Sequence, residues 1–249
     1  MTLMGEKLKN PPLIEAACDF RWVETSPWDW TIPGQLFERI REDFPVRSEL
    51  GFEQPHQADD QGVNIVQTVA VPLLVQLSRQ DGSAMVQIGQ RLLSVNCLKP
   101  YPTWDSFKSL ITRIYREYST VADATALDRV GLRYINRIDV PEGNFQVEDY
   151  LSMGCPSQWL TKYPFASFYQ RYEVVVSSPD RILVHQTALG RFDGRRAIML
   201  DLDLGIRNIG IMDIGPSLDA LLDAAHDKVL EAFVSSVNPD LYERMKRGD

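Results

Sequence analysis

The sequence has few of the residues that build disulfide frameworks, zinc sites or metal-dependent hydrolases. Only three cysteines and three histidines occur among its 249 residues. The cysteines are far apart and form no CxxC pair, which disfavours a disulfide framework and a zinc knuckle and indicates a reducing compartment. The histidines form no HxH, HxxxH or HExxH pair, so a zinc hydrolase is disfavoured as well.

Long apolar runs and the common catalytic motifs are also missing. No segment approaches the ~18 apolar residues of a membrane span, and residues 1–10 lack the apolar segment of a signal peptide. There is no P-loop, kinase, glycosidase or Gly-x-Ser-x-Gly pattern, and no glycine-rich turn follows the first predicted strand. We therefore expect a cytoplasmic protein that needs no cofactor.

Positive charge is in deficit. Lysines and arginines number 26 against 34 aspartates and glutamates, which gives a formal net charge of −8. Bulk electrostatics therefore work against binding to a phosphate backbone. A local basic patch can outweigh a global deficit, so nucleic acid is disfavoured as a partner rather than ruled out.

Apolar residues are abundant, and their spacing predicts an α+β fold. Alternation of apolar and polar residues predicts strands, and helical spacing predicts three main helices. The predicted strands cover residues 14–22, 63–69, 73–79, 84–88, 92–98, 127–140, 168–176, 181–188 and 197–206. The predicted helices cover residues 31–44, 103–119 and 217–237. Closely spaced strands joined by tight turns indicate a mostly antiparallel sheet.

The order of these elements favours one globular unit over residues 1–249. Residues 141–144, Pro-Glu-Gly-Asn, interrupt the pattern and are the best candidate for an internal boundary. Each half of the chain runs from closely spaced strands to a long helix. An alternative is therefore two related lobes, residues 1–141 and 142–249, that share a sheet or pack side by side.

Two aspartates lie one residue apart in the predicted strand 197–206. Asp201 and Asp203 project from the same face of that strand, about 7 Å apart. Such a pair can bind a divalent cation or divide acid and base roles, which makes both residues catalytic candidates. The alternative is that they face solvent or pair with arginines of the predicted strand 127–140. The sequence does not show where further metal ligands would come from.

A row of arginines is the second candidate site. Arg129, Arg133 and Arg137 share one face of the predicted strand 127–140, and Arg171 lies on the predicted strand 168–176. Guanidinium groups match phosphates and acidic partners, so these four residues are candidates for binding a ligand or a partner. The alternative is cross-strand ion pairing with nearby carboxylates.

Two tryptophans lie just before the first predicted helix. Exposed aromatic residues are common at protein interfaces, so Trp28 and Trp30 are candidates for a partner surface. The alternative is that both side chains pack beneath their own loop.

Two segments resemble the hallmark motifs of a sporadically distributed bacterial family of about this length. They are residues 10–16, NPPLIEA, and residues 129–138, RVGLRYINRI. Residues 200–203 and the last helix with Phe233 are similar to the family's third and last segments, so the resemblance spans nearly the whole chain. The family has no established activity, cofactor or catalytic residue. Its patchy occurrence implies an accessory system, with defence as one setting.

Three functional hypotheses follow. The first is a non-enzymatic interaction or regulatory subunit of a bacterial accessory system, whose partner is another protein or a second copy of the chain. The second is a divalent-metal-dependent hydrolase or nuclease that uses Asp201 and Asp203. The third is a sensor of a small anionic ligand or nucleotide that the arginines would bind.

Overall fold

The computed structural model describes residues 8–50, 74–123, 126–152, 157, 159–178, 180–212 and 215–249. The predicted strand 63–69 and Cys155 lie outside this part of the chain. Within it there is no helix with the length and apolar character needed to cross a membrane.

Nine strands of the described chain form one antiparallel sheet. The strands are β1 (Leu13–Trp22), β2 (Val46–Leu50), β3 (Leu74–Ser78), β4 (Ala84–Gly89), β5 (Leu92–Leu98), β6 (Leu127–Asp139), β7 (Phe168–Val175), β8 (Arg181–Phe192) and β9 (Arg195–Gly210). Their order across the sheet is β2-β3-β4-β5-β1-β6-β9-β8-β7. The predicted α+β fold with a mostly antiparallel sheet is confirmed.

Strands from before and after the loop at residues 141–144 belong to this same sheet. They meet where β6 pairs with β9, in a long antiparallel ladder from Leu127 opposite Gly210 to Asp139 opposite Ala197. On its other side, β6 pairs with β1. The predicted arginine row on β6 therefore lies in the middle of the sheet, next to the two aspartates on β9.

Four helices occur in the described residues, one more than the sequence predicts. They are α1 (Ile32–Ile40), α2 (Trp104–Ser119), α3 (Pro216–Ser236) and α4 (Pro239–Arg247). Helix α1 ends four residues before its predicted end, although Phe44 is fully buried beyond it. The missed helix, α4, is short and mostly polar, and only Leu241 and Met245 of its residues are buried. Its start is capped by Asn238, whose side chain accepts hydrogen bonds from two backbone N–H groups.

The main core lies between one face of the sheet and the helices. Helix α2 packs on β5, and α3 packs on β6 and β9. The Phe20 ring of β1 lies 4.5 Å from the Tyr115 ring of α2, measured between centroids. Side chains alternate between the two faces of a strand, so the polar residues of these same strands point to the opposite face of the sheet.

Two histidines are half-buried in the layer between the sheet and α3. The His226 ring stacks on Trp104 at 4.2 Å, and its Nδ1 lies 2.8 Å from the Tyr134 hydroxyl. His185 Nε2 lies 2.7 Å from the Ser236 hydroxyl. Burial lowers the pKa of both imidazoles, because the charged form loses its hydration.

These lowered pKa values predict a loss of stability in mild acid. Below about pH 6.5, the ordinary pKa of histidine, the unfolded chain binds protons that the folded chain does not. The free energy of unfolding should therefore fall as the pH is lowered from about 7.5 to 5.5, as measured by urea denaturation. In the His226→Gln variant this fall should be smaller, and an unchanged pH dependence would contradict the assignment.

Candidate functional site

The face of the sheet opposite α2 and α3 is polar and forms a shallow cleft of 650 Å³. Its walls carry charged side chains of both signs from β1, β6, β7 and β9. We call this surface the open face. In the strand register Arg133 of β6 lies opposite Asp203 of β9, and Arg129 lies opposite Arg207. The ion pairs between these strands are therefore diagonal, from Arg129 to Asp203 and from Arg133 to Asp201.

Arg129 is largely enclosed in the open face, with 16% of its side chain exposed. Its Nη1 donates to both carboxylate oxygens of Asp19 at 2.5 Å, and its Nη2 donates to Asp203 Oδ1 at 2.6 Å. Although burial opposes the charged form, the two carboxylates raise the pKa of Arg129. Burial raises the pKa of Asp203, and Arg129 opposes that shift without cancelling it.

Two glycines provide the space in which the Arg129 guanidinium lies. Gly131 of β6 is paired with Gly205 of β9 on one side and with Asp19 of β1 on the other. A methyl group at Gly131 would collide with the Arg129 guanidinium and the Asp19 carboxylate, and one at Gly205 would lie 2.8 Å from Arg129 Nε. The side chain therefore lies flat on the sheet only because both residues are glycine.

The other arginines of the predicted row also have carboxylate partners. Arg133 makes a two-point contact with Asp201, at 2.8 and 2.6 Å. Arg137 donates to Asp139 at 2.8 Å and to Asp193 at 3.0 Å. These guanidinium groups are therefore engaged in ion pairs, either across strands or with neighbouring residues. As a result, the positive and negative charges of the open face nearly cancel.

Asp201 and Asp203, the predicted catalytic candidates, are each bonded to an arginine. Asp201 also accepts a hydrogen bond from the Gln186 amide at 3.2 Å. Within the described part of the chain, no group of three or more His, Cys, Asp or Glu side chains is arranged to hold a metal ion. The aspartate pair and the arginine row therefore form one ion-paired network. The carboxylates are not arranged as free ligands for a metal ion.

The two candidate tryptophans have different environments. Trp28 is half-buried and packs against the core, whereas Trp30 is 65% exposed. Their rings meet edge to face, 5.7 Å apart between centroids. The Trp30 side chain is therefore accessible to a partner, and its ring packs against that of Trp28.

Arg171, the last of the predicted arginines, lies on β7 at the edge of the sheet. Among the described residues, β7 pairs only with β8. Arg171 contacts Glu173 on the same strand, and its Nη1 lies 3.5 Å from Gln186 Oε1. Both charged groups are about half exposed, with 43% and 55% of their side chains accessible.

Four large apolar residues of β7 are exposed as well. Tyr169 is 62% exposed, Tyr172 48%, Val174 47% and Val175 61%. They lie on both faces of the strand, because odd-numbered and even-numbered positions point opposite ways. Sequence reasoning missed these residues as a surface. The available signal was that apolar residues in 168–175 follow no alternation, which a strand buried on one face would show.

Comparison of the chain with protein-family models gave no match, and comparison with curated proteins gave no similar sequence. The resemblance of residues 10–16 and 129–138 to a sporadically distributed bacterial family stays a prediction. The geometry of the open face and of strand β7 is therefore the basis for assigning a function.

Proposed function

We propose that this protein is a non-enzymatic interaction subunit that binds another protein chain along the edge of β7. One observation supports the proposal above all: an eight-residue edge strand with four exposed tyrosine and valine side chains. An edge of this length presents unpaired N–H and C=O groups that can add a strand from a partner. Tyrosine is also enriched at protein interfaces.

The sequence of β7 carries two charged residues, Arg171 and Glu173, but lacks other common protections of an edge strand. Lysine and proline on the edge, or a bulge, commonly prevent pairing with a further strand. Residues 168–175, FYQRYEVV, contain neither lysine nor proline, and β7 runs alongside β8 from Phe168 to Val175 without a register shift. Within the part of the chain that the structure describes, the strand is therefore regular and open to pairing.

The orientation of the β7 backbone identifies the groups a partner would meet. The N–H of Val176, just past the strand, donates to the Arg181 carbonyl at 3.0 Å. In an antiparallel ladder the inward and outward directions alternate by residue. The even-numbered residues of β7 therefore bond to β8, and the N–H and C=O groups of Tyr169, Arg171, Glu173 and Val175 point away from the sheet.

Glu173→Pro tests the proposal, because it removes one outward N–H and leaves the inward ladder intact. The tagged full chain is purified gently from its host and weighed by native mass spectrometry. We expect the wild type in a complex heavier than the 28.4 kDa chain, and we expect Glu173→Pro to weaken that complex about tenfold or more. Trp30→Ala is the control for a surface away from β7.

A wild-type chain that is recovered alone contradicts the proposal. So does a complex that persists in Glu173→Pro while the variant keeps the wild-type melting temperature. Loss of the complex in Trp30→Ala but not in Glu173→Pro would move the interface to the tryptophan pair.

A further inference from the structure

We infer that the chain which pairs with β7 is a second copy of the same protein, in an antiparallel arrangement centred on Tyr172. This inference rests on the proposed function and names its partner. The sequence of β7 is self-complementary in charge about Tyr172, because Arg171 precedes that residue and Glu173 follows it. A twofold axis through the pair of tyrosines therefore relates two identical edges.

Backbone geometry restricts the registers that two copies can adopt. Only odd-numbered residues of β7 direct their N–H and C=O groups outward, as the Val176 to Arg181 hydrogen bond shows. A hydrogen-bonded pair across the new ladder must therefore join two odd-numbered residues. A register that sets odd-numbered residues opposite even-numbered ones leaves the outward groups mismatched.

Charge selects one register among those that remain. Centring on Tyr172 places Arg171 opposite Glu173 of the partner subunit, and the twofold axis makes that pair twice. Centring on Arg171 would place that arginine opposite its own copy, and centring on Glu173 would do the same for the glutamate. Directly opposed like charges destabilise a strand pair, whereas opposite charges stabilise it.

The same register covers the exposed apolar side chains of β7. Tyr169 lies opposite Val175 of the partner subunit on the open face. On the other face, Tyr172 lies opposite the partner subunit's Tyr172, and Gln170 lies opposite the partner's Val174. Pairs of aromatic and β-branched residues are favourable across strands, so all four exposed apolar residues gain a neighbour.

Charge reversal tests this register directly. Arg171→Glu alone places two glutamates opposite each other at both contacts, and Glu173→Arg alone places two arginines there. Each single variant of the untagged full chain should dimerise about tenfold or more weakly than the wild type, measured by sedimentation equilibrium. The double variant R171E/E173R restores both opposite-charge pairs and should dimerise like the wild type.

A mixture of the two single variants is the most specific measurement. Each chain then offers the charge that the other lacks at both contacts, so equimolar mixing should produce a heterodimer from two largely monomeric proteins. Arg191→Glu is a matched control, because Arg191 is an exposed arginine of β8 that pairs with Glu142 and lies beyond the end of the ladder between β7 and β8. It should leave dimerisation unchanged.

The outcomes separate this inference from the proposed function. A wild type that stays monomeric at high concentration, or single variants that form no heterodimer on mixing, overturns the self-pairing register. If the host complex is nevertheless lost in Glu173→Pro, β7 binds a different protein and the proposed function stands. If the host complex is also unaffected by Glu173→Pro, both the self-pairing register and the proposed function are wrong.

Discussion

Arg129→Met is expected to lower the free energy of unfolding by about 3 kcal/mol. The guanidinium bridges Asp19 and Asp203 in the middle of the sheet, and the three side chains are only 16%, 17% and 26% exposed. Removing it leaves two poorly hydrated carboxylates side by side, of which Asp19 keeps only its contact with the exposed Arg21. Methionine keeps much of the aliphatic packing, so the loss reports mainly the charge. Urea denaturation measures it.

Arg133→Met is the matched control for this effect. Arg133 lies on the same strand and the same face, but 44% of its side chain is exposed and it contacts one carboxylate, that of Asp201. Asp201 is 15% exposed and keeps its hydrogen bond from the Gln186 amide, so we expect Arg133→Met to lower the free energy of unfolding by less than Arg129→Met does. Equal losses of unfolding free energy in the two variants would contradict the larger contribution assigned to Arg129.

The two opposed carboxylates can be neutralised to test the cause. In the Arg129→Met background, Asp19→Asn and Asp203→Asn eliminate the opposed negative charges. We expect this triple variant to recover part of the lost stability, since replacing all members of a buried ionic group is often close to neutral. A triple variant that is less stable than Arg129→Met would show that packing, and not charge, was lost.

Gly131→Ala is expected to lower the free energy of unfolding by about 2 kcal/mol. The new methyl group would occupy the position of the Arg129 guanidinium and of the Asp19 carboxylate. The end of an arginine can usually move aside, but here Asp19 and Asp203 hold it in place. Moving it sacrifices charge-assisted hydrogen bonds, which are the strong ones.

A double-mutant cycle separates this cause from a general backbone effect. If the methyl group acts by displacing the guanidinium, Gly131→Ala should cost little once Arg129 is already methionine. Gly34→Ala is the control, because a methyl group there has no atom within 4 Å. Gly34 lies in α1, where alanine is favoured over glycine by up to about 1 kcal/mol. Additive losses at Gly131 and Arg129 would contradict the mechanism.

Local sequence patterns predicted most of the described elements, because those patterns report on neighbours in the chain. The alternation in residues 14–22 predicted β1. Thr103 caps α2 by accepting a hydrogen bond from the Ser106 N–H, as expected of a threonine at the N-cap of a helix. Helix α4 was missed because it is only nine residues long and buries only Leu241 and Met245, although these two residues have helical spacing. The end of α1 was placed too late because buried apolar spacing continues to Phe44.

The candidate residues were visible in the sequence, but their relations were not. That Asp201 and Asp203 share a face follows from strand periodicity alone. That Arg129 joins Asp203 to Asp19, across segments 74 and 110 residues away, follows from the order β1-β6-β9, which no local pattern contains. The role of Gly131 is likewise visible only when three strands are side by side.

By itself, the sequence determined the fold class, most strands and helices, and the polar character of one sheet face, since each depends on the spacing of residue types along the chain. Only the tertiary structure decided that the arginines and aspartates neutralise one another and that β7 is the last strand of the sheet among the described residues. Both depend on which strands are neighbours, and that order is set by the packing of the whole sheet against its helices.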